Sequence, residues 1–349
     1  MKSEHVDNHL QQVLNSSIDN KMVFGVSVRV EKGDASLVFL GSAGNLANDS
    51  LYFIASTTKL FITALTMRLR ELGKLGLDDP IVKYLDNQYV DKLLIFKGVD
   101  YSDQITIRQL LSHTSGLPDY FQQKKKNRKS LHDELIAGHD QYWSIEQVIN
   151  EVKNMKPQFK PGEQGKALYS DTNYQLLGKI IERITGSRIG MVLKEYIFDP
   201  LGLNYTYLYE DSKDNKPVPM FYKQKHLRIP LAMRSFGPDG GLVSNSKELM
   251  IFIKAFFQGK LFPINYFDEM KQWNRIFFPF EYGIGLARFQ LPRIFSPFTS
   301  MPELLGHSGL SGAFAFYAPE KDVFLTGTVN QISNPGIPFR LMFQLLNCF

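Results

Sequence analysis

The sequence predicts an α+β fold: an antiparallel sheet built from N- and C-terminal strands and flanked by helices, with a largely helical lobe inserted between them. Three observations carry this expectation. Residues 22–30 are β-rich and alternate at their end, and Lys32-Gly33-Asp34 separates them from a second run at 36–40, which is a hairpin signal. Residues 310–317 and 323–329 repeat the pattern around Ala318-Pro319-Glu320-Lys321-Asp322. Between the hairpins, apolar residues recur at helical spacing. The two ends are therefore expected to share a sheet while the middle packs as helices. The expected lobes are 1–75 with 300–349 for the sheet and 76–299 for the helices, with the site in the cleft between them.

Taken in order, residues 1–20 are polar and read as a mobile terminus. Helix 60–72 places Leu60, Phe61, Ala64, Leu65, Leu69 and Leu72 on one stripe and stops at Gly73. Ile62 and Met67 lie off that stripe, so the helix should be buried nearly all round. Pro80, Gly98, Gly116 and Pro118 break the next segment, leaving a short apolar stretch at 107–111 and a Gly116-Leu117-Pro118 turn. A helix is expected at 145–152. A second begins just past Tyr169, with Leu176, Leu177, Ile180, Ile181 and Ile184 on its stripe and Gly186 as its stop. Residues 205–230 lack periodicity and read as a surface segment overhanging a cleft. The turn 237–241 precedes helix 246–258, and residues 339–346 close the chain as a helix.

A chain of 349 residues with 44% hydrophobic and 21% charged side chains can bury a sizeable core, as one large domain or two intertwined ones. Its net charge of +5 is spread along the chain, so nucleic acid is not an expected partner. The one dense basic cluster, Lys124, Lys125, Lys126, Arg128 and Lys129, is either a solvated loop or a contact for an anionic surface. Cys348 is the only cysteine, which excludes an internal disulfide and a cysteine zinc cluster. No stretch approaches a membrane span, and residues 1–20 lack the apolar core of a signal peptide. As written the chain is expected to be cytoplasmic, or periplasmic or extracellular if a leader has been removed from a longer precursor.

Chemistry concentrates at Ala55-Ser56-Thr57-Thr58-Lys59, where a hydroxyl and an amine stand three residues apart at a helix start. Residues i and i+3 share a helix face, and a lysine in a dry, cationic site loses basicity until it can take a serine proton. Free N–H groups at the helix start would stabilise the anion. The same spacing recurs at Ser244-Asn245-Ser246-Lys247, where Asn245 and Glu248 instead suggest a helix cap. No Gly-x-Ser-x-Gly or His-Glu-x-x-His occurs, Gly283-Ile284-Gly285 lacks a third glycine, and His5 and His9 share helical spacing only near a mobile terminus, so neither metal nor cofactor is expected.

Ser56-Thr57-Thr58-Lys59, Tyr169-Ser170-Asp171 and His307-Ser308-Gly309 stand in an order that resembles the serine β-lactamase and penicillin-binding-protein superfamily. The likeness is to the branch holding class C β-lactamases, D-Ala-D-Ala carboxypeptidases and related esterases. The stretches 110–117, 240–244, 282–285 and 306–312 support it. The resemblance implies that Ser56 is the acylated nucleophile, Lys59 its partner and Tyr169 a proton shuttle. It also implies that the backbone N–H groups of Ser56 and Leu310 form the oxyanion hole, with Ser308 and Gly309 beside them. Tyr169, with an ordinary phenol pKa, would need nearby cations or a concerted transfer.

Asp171 departs from the asparagine common at that place, and is either a site residue or the N-cap of the following helix. His307 replaces the lysine of β-lactamases, which tilts substrate choice toward esters or amides without a carboxylate. Protonation below about pH 6.5 would give His307 a charge. The expected activity is hydrolysis of small esters or D-amino-acid-type amides and peptides. The alternative is a β-lactamase or a penicillin-binding sensor with little turnover.

Overall fold

Among the described residues, eight strands form one antiparallel sheet, in the spatial order 274–277, 280–282, 287–289, 304–308, 313–318, 323–328, 25–32 and 38–44. In the computed structural model, which describes residues 2–124, 129–291 and 301–349, strand Gly25–Lys32 of the N-terminal hairpin pairs with Val323–Thr328 of the C-terminal one, Val28 opposite Gly327. The chain ends thus meet in one sheet, as alternation at both ends predicts.

Period-two alternation puts Val26, Val28 and Val30 on one face, where they pack with Phe314, Phe316, Leu325 and the terminal helix Gly336–Leu346. The first residues are not a loose terminus. Lys2–Ser17 is a helix whose Leu10 and Leu14 are buried on this same face. Two leucines one turn apart form a stripe too narrow to stand out in a polar sequence. The opposite face carries helix Ser246–Phe257, tied to the sheet by Thr326 Oγ1 donating to the Ser246 carbonyl at 2.7 Å.

Asn245 caps that helix by accepting from the Glu248 N–H at 2.8 Å. Ser244 meanwhile lies on a strand with its hydroxyl 2.8 Å from that of Thr206, and Lys247 is exposed. The second Ser-x-x-Lys is therefore a cap.

Two segments differ from expectation. Residues 274–289 supply three strands to the large sheet although the boundary at residue 299 assigns them to the helical lobe. Strands of three or four residues carry too few positions for alternation to register. Residues 205–230 hold strand Tyr207–Leu208 and the hairpin Met220–Tyr222 with Lys225–Leu227, and Met220, Leu227 and Ile229 are buried. The helical lobe otherwise follows the apolar stripes. Thr58–Glu71 is buried nearly all round, and Asp171–Thr185 ends at Gly186, whose φ of 71° is the left-handed conformation that favours glycine. Lys124 is exposed, whereas Lys125, Lys126 and Arg128 lie outside the described residues.

Candidate active site

A small sheet holds Ser56 in place. Tyr52–Phe53 pairs with Leu242–Ser244, and the Ile54 N–H continues the ladder by donating to the Leu242 carbonyl at 3.0 Å. The chain then turns through Ala55, held in the left-handed region at φ 44°, into the 3₁₀ turn Ala55–Thr57 and helix Thr58–Glu71. A non-glycine residue held there costs of order 1–3 kcal/mol and persists only where its surroundings enforce it. The turn presents Ser56, half-buried, at the head of the helix.

Lys59 Nζ reaches three acceptors: Ser56 Oγ at 3.1 Å, the Asp239 carbonyl at 2.6 Å and Asp171 Oδ1 at 2.6 Å. Three acceptors match the three N–H donors of an ammonium ion. Burial of Lys59 alone would lower its pKa, but the charge of the Asp171 carboxylate beside it outweighs burial and pushes the pKa up. The site is dry, but the charge nearest Lys59 is a carboxylate and not the second cation that the Ser-x-x-Lys reading supposes. Lys59 is a donor to Ser56 Oγ in the resting state.

Asp171 is not the N-cap. Ser170 holds that position, and Asp171 is the first helical residue, with its carboxylate turned to Lys59. Two further buried acids surround the pair. Asp119 accepts the Asp171 N–H at 3.0 Å and its pKa is pushed up to about 7 by burial and by Asp171. Asp239 Oδ2 accepts from Tyr120 Oη at 2.8 Å and Gln175 Nε2 at 3.0 Å, and burial followed by repulsion from Asp171 raises its pKa well above the usual range.

Tyr169 lies over Lys59, whose Nζ is 5.2 Å from the ring centroid, and Lys59 and Ser56 both act on its hydroxyl. Burial raises its pKa despite the lowering effect of Lys59, so the phenol is neutral. The ring rests on His113 at a centroid distance of 4.4 Å. His113 Nδ1 accepts the Ser170 N–H at 3.1 Å, which leaves the imidazole proton on Nε2, and burial holds its pKa well below the ordinary value.

His307 donates Nδ1–H to the Ser308 carbonyl at 2.7 Å, and Nε2 has no partner among the described residues. Its ring centroid is 6.2 Å from that of Tyr169. Burial, then the charge of Lys59, lowers its pKa to about 3. A pKa held this low removes the reason to expect a gain of charge near pH 6.5. Motif position places His307 beside a lysine in space, and that proximity is not visible in the chain.

The folded state refuses a proton that an unfolded histidine accepts below about pH 6.5, so His307 costs stability progressively as pH falls from there toward its folded value of about 3. Asp119 and Asp239, whose folded pKa values are raised, act in the opposite sense, so the informative quantity is a difference. Urea unfolding of wild type and His307→Asn should show the variant gaining on the wild type by about 1.4 kcal/mol per pH unit below pH 6. A difference constant from pH 7 to 4.5 would mean that His307 titrates normally.

Leu310 follows strand Leu304–Ser308 in a turn closed by the Gly309 N–H donating to the Ala313 carbonyl at 2.7 Å. The Leu310 N–H meets no acceptor among the described residues, and Ser56 lies at a helix start, where N–H groups are left unbonded. Gly309 permits the approach, since a Cβ there would stand 2.2 Å from the Ile54 carbonyl oxygen. Two pockets meet at Ser56 and Leu310. One has room for about 60 Å³ and includes Asp171, Met220, Leu227 and Met233. The other, about 890 Å³, includes Tyr169, His307, Ser308 and Gly309 and runs out to Phe280 and Phe339.

Ser56, Lys59, Tyr169, Asp171, His307, Ser308, Gly309 and Leu310 are thus brought together. Sequence reasoning misses Asp119, Asp239 and His113, and also Tyr282, whose ring centroid lies 4.5 Å from that of His113 and 5.6 Å from that of His307. His113 and Tyr282 do fall within stretches that carry the family resemblance, and Asp239 in the turn 237–241.

A family model described as Beta-lactamase matches residues 10–340. A penicillin-binding protein of Bacillus subtilis (strain 168) is 31% identical over 209 residues, which are 58% of this chain and 41% of that protein. The chain thus spans about two fifths of that relative's length. Among solved structures, a D-stereospecific amidohydrolase from Streptomyces sp. is 26% identical with a TM-score of 0.77, covering 96% of this chain and 97% of its own. The D-amino acid amidase of Ochrobactrum anthropi SV3, 23% identical with a TM-score of 0.78, covers 97% and 100% and shares the fold. With the three motifs converging on one cleft and the family model matching nearly the whole chain, this protein belongs to the β-lactamase family.

Proposed function

We propose that the protein is a serine hydrolase that forms an acyl-enzyme on Ser56 and acts on small esters or D-amino-acid-type amides and peptides. The observation that carries this reading is the hydrogen bond from Lys59 Nζ to Ser56 Oγ at 3.1 Å. Because Oγ accepts that bond, the serine proton is free to face the Tyr169 hydroxyl, on which both side chains act.

Neither neighbour is a free base, so the proton moves in concert: Tyr169 takes it from Ser56 while giving its own to the departing alcohol or amine. The Ser56 Oγ–carbon bond forms, the ester or amide bond breaks, and the phenol ends as it began. Lys59 stays an ammonium and stabilises negative charge developing on Oγ. The N–H groups of Ser56 and Leu310 hold the carbonyl oxygen. Water then attacks along the same path, returning a proton to Oγ. Neutral His307 offers no charge to a substrate carboxylate, which favours neutral esters and amides over β-lactams. Likeness to the amidohydrolase supports amides among the substrates.

Intact-protein mass after treatment with a fluorophosphonate should show one adduct, on Ser56, and none in Ser56→Ala. An adduct that persists in that variant, or maps to Ser244, would remove Ser56 from the mechanism.

A further inference from the structure

Both pockets border Ser56 and Leu310, but Tyr169 and His307 border only the larger one. The group that protonates the leaving atom must lie beside it. If Tyr169 delivers that proton, the leaving group occupies the larger pocket and the acyl group the smaller. We infer that, among the esters and amides this site takes, those of short apolar acids with bulky apolar alcohols or amines are preferred: the acyl chain enters the pocket walled by Met220, Leu227 and Met233, and the leaving group lies along Phe280 and Phe339. This rests on the reading of Ser56 as the acylated serine.

Size and chemistry set the two preferences. A cavity of about 150 Å³ holds a benzene ring, so a pocket with room for about 60 Å³ favours a chain of two or three carbons over a phenyl or octyl group. The three wall residues are each less than a tenth exposed and come from the 220–227 hairpin and the helix Pro230–Phe236. Buried as they are, these side chains leave little room along the wall they form. The larger pocket, about 890 Å³, is open and aromatic. Aromatic side chains favour offset or edge-on contact with another ring.

The test reads the pre-steady-state burst of Ser56 acylation, which needs no turnover. With 4-nitrophenyl esters, acetyl to butanoyl should acylate at least about tenfold faster than octanoyl. Leu227→Ala and Met233→Ala should each narrow that gap several-fold by opening the wall. Phenyl and 2-naphthyl acetate have leaving groups of similar acidity, and naphthyl should react several-fold faster, an advantage reduced in Phe339→Ala. A wild type that prefers octanoyl, or wall variants that leave the acyl preference in place, overturns the assignment of the small pocket. A naphthyl-to-phenyl ratio unmoved by Phe339→Ala overturns that of the large one. A protein that a fluorophosphonate fails to label at Ser56 defeats the hydrolase reading instead, so the two failures are distinct.

Discussion

Lys59→Met is expected to slow acylation of Ser56 by about 10²–10⁴, the range of positioned proton-transfer and charge-stabilising groups, and to destabilise the fold. The second effect follows from burial. Lys59 is fully buried and Asp171 nearly so, their charged atoms 2.6 Å apart. Removing one partner of a buried pair strands the other charge at a cost of about 3–5 kcal/mol. Lys59→Met with Asp171→Asn removes both charges, so urea unfolding should show much of the lost stability restored. Acylation should remain at the level of the single variant, because Ser56 Oγ still lacks its ammonium partner. Recovery of acylation in the double variant would show that Lys59 acts only by neutralising Asp171. A single variant as stable as the wild type would show that the ion pair is not buried in solution.

The parts of this site that are legible in the sequence are those whose geometry is local. Ser56 and Lys59 are one turn apart on a helix, so their contact follows from helical periodicity. The environment that decides the charge of Lys59 is not local. Asp239 lies 180 residues further along, and its carbonyl meets Nζ because the turn 237–241 leads into the strand that pairs beside Ser56. A lysine with an adjacent serine reads as a base until the acids around it are counted, and those acids are assembled by tertiary packing. His307 shows the same limit: its residue type suggests a group that titrates near neutrality, whereas burial beside an ammonium removes that titration.

For the fold, the contrast is one of length. Six-residue strands such as Ala313–Ala318 and Val323–Thr328 alternate long enough to be read. Those at 274–289 have three or four residues and depend on pairing with neighbours for their identity. The N-terminal helix is hidden for a related reason, because most of its surface faces water and only a narrow seam touches the sheet.

Gly309→Ala tests the other half of the site, the backbone donors. An added Cβ would stand 2.2 Å from the Ile54 carbonyl oxygen and 3.0 Å from Ala55 Cβ. Neither obstacle is the tip of a flexible side chain. Ile54 is held by its bond to Leu242, and Ala55 sits in a strained conformation just before Ser56. The turn carrying Leu310 must therefore back away from the serine. Overpacking of this kind costs about 1–3 kcal/mol of stability, and loss of one oxyanion donor costs about 10²–10³ in kcat. For 4-nitrophenyl butanoate, kcat should fall by that factor with KM little changed, since the donors act on the transition state more than on the bound ester. A fluorophosphonate, which also places an anionic oxygen in the hole, should label Ser56 more slowly by a comparable factor. If kcat held while stability fell, the close approach of the two turns would be a packing feature, and the Leu310 N–H would have no part in stabilising the oxyanion.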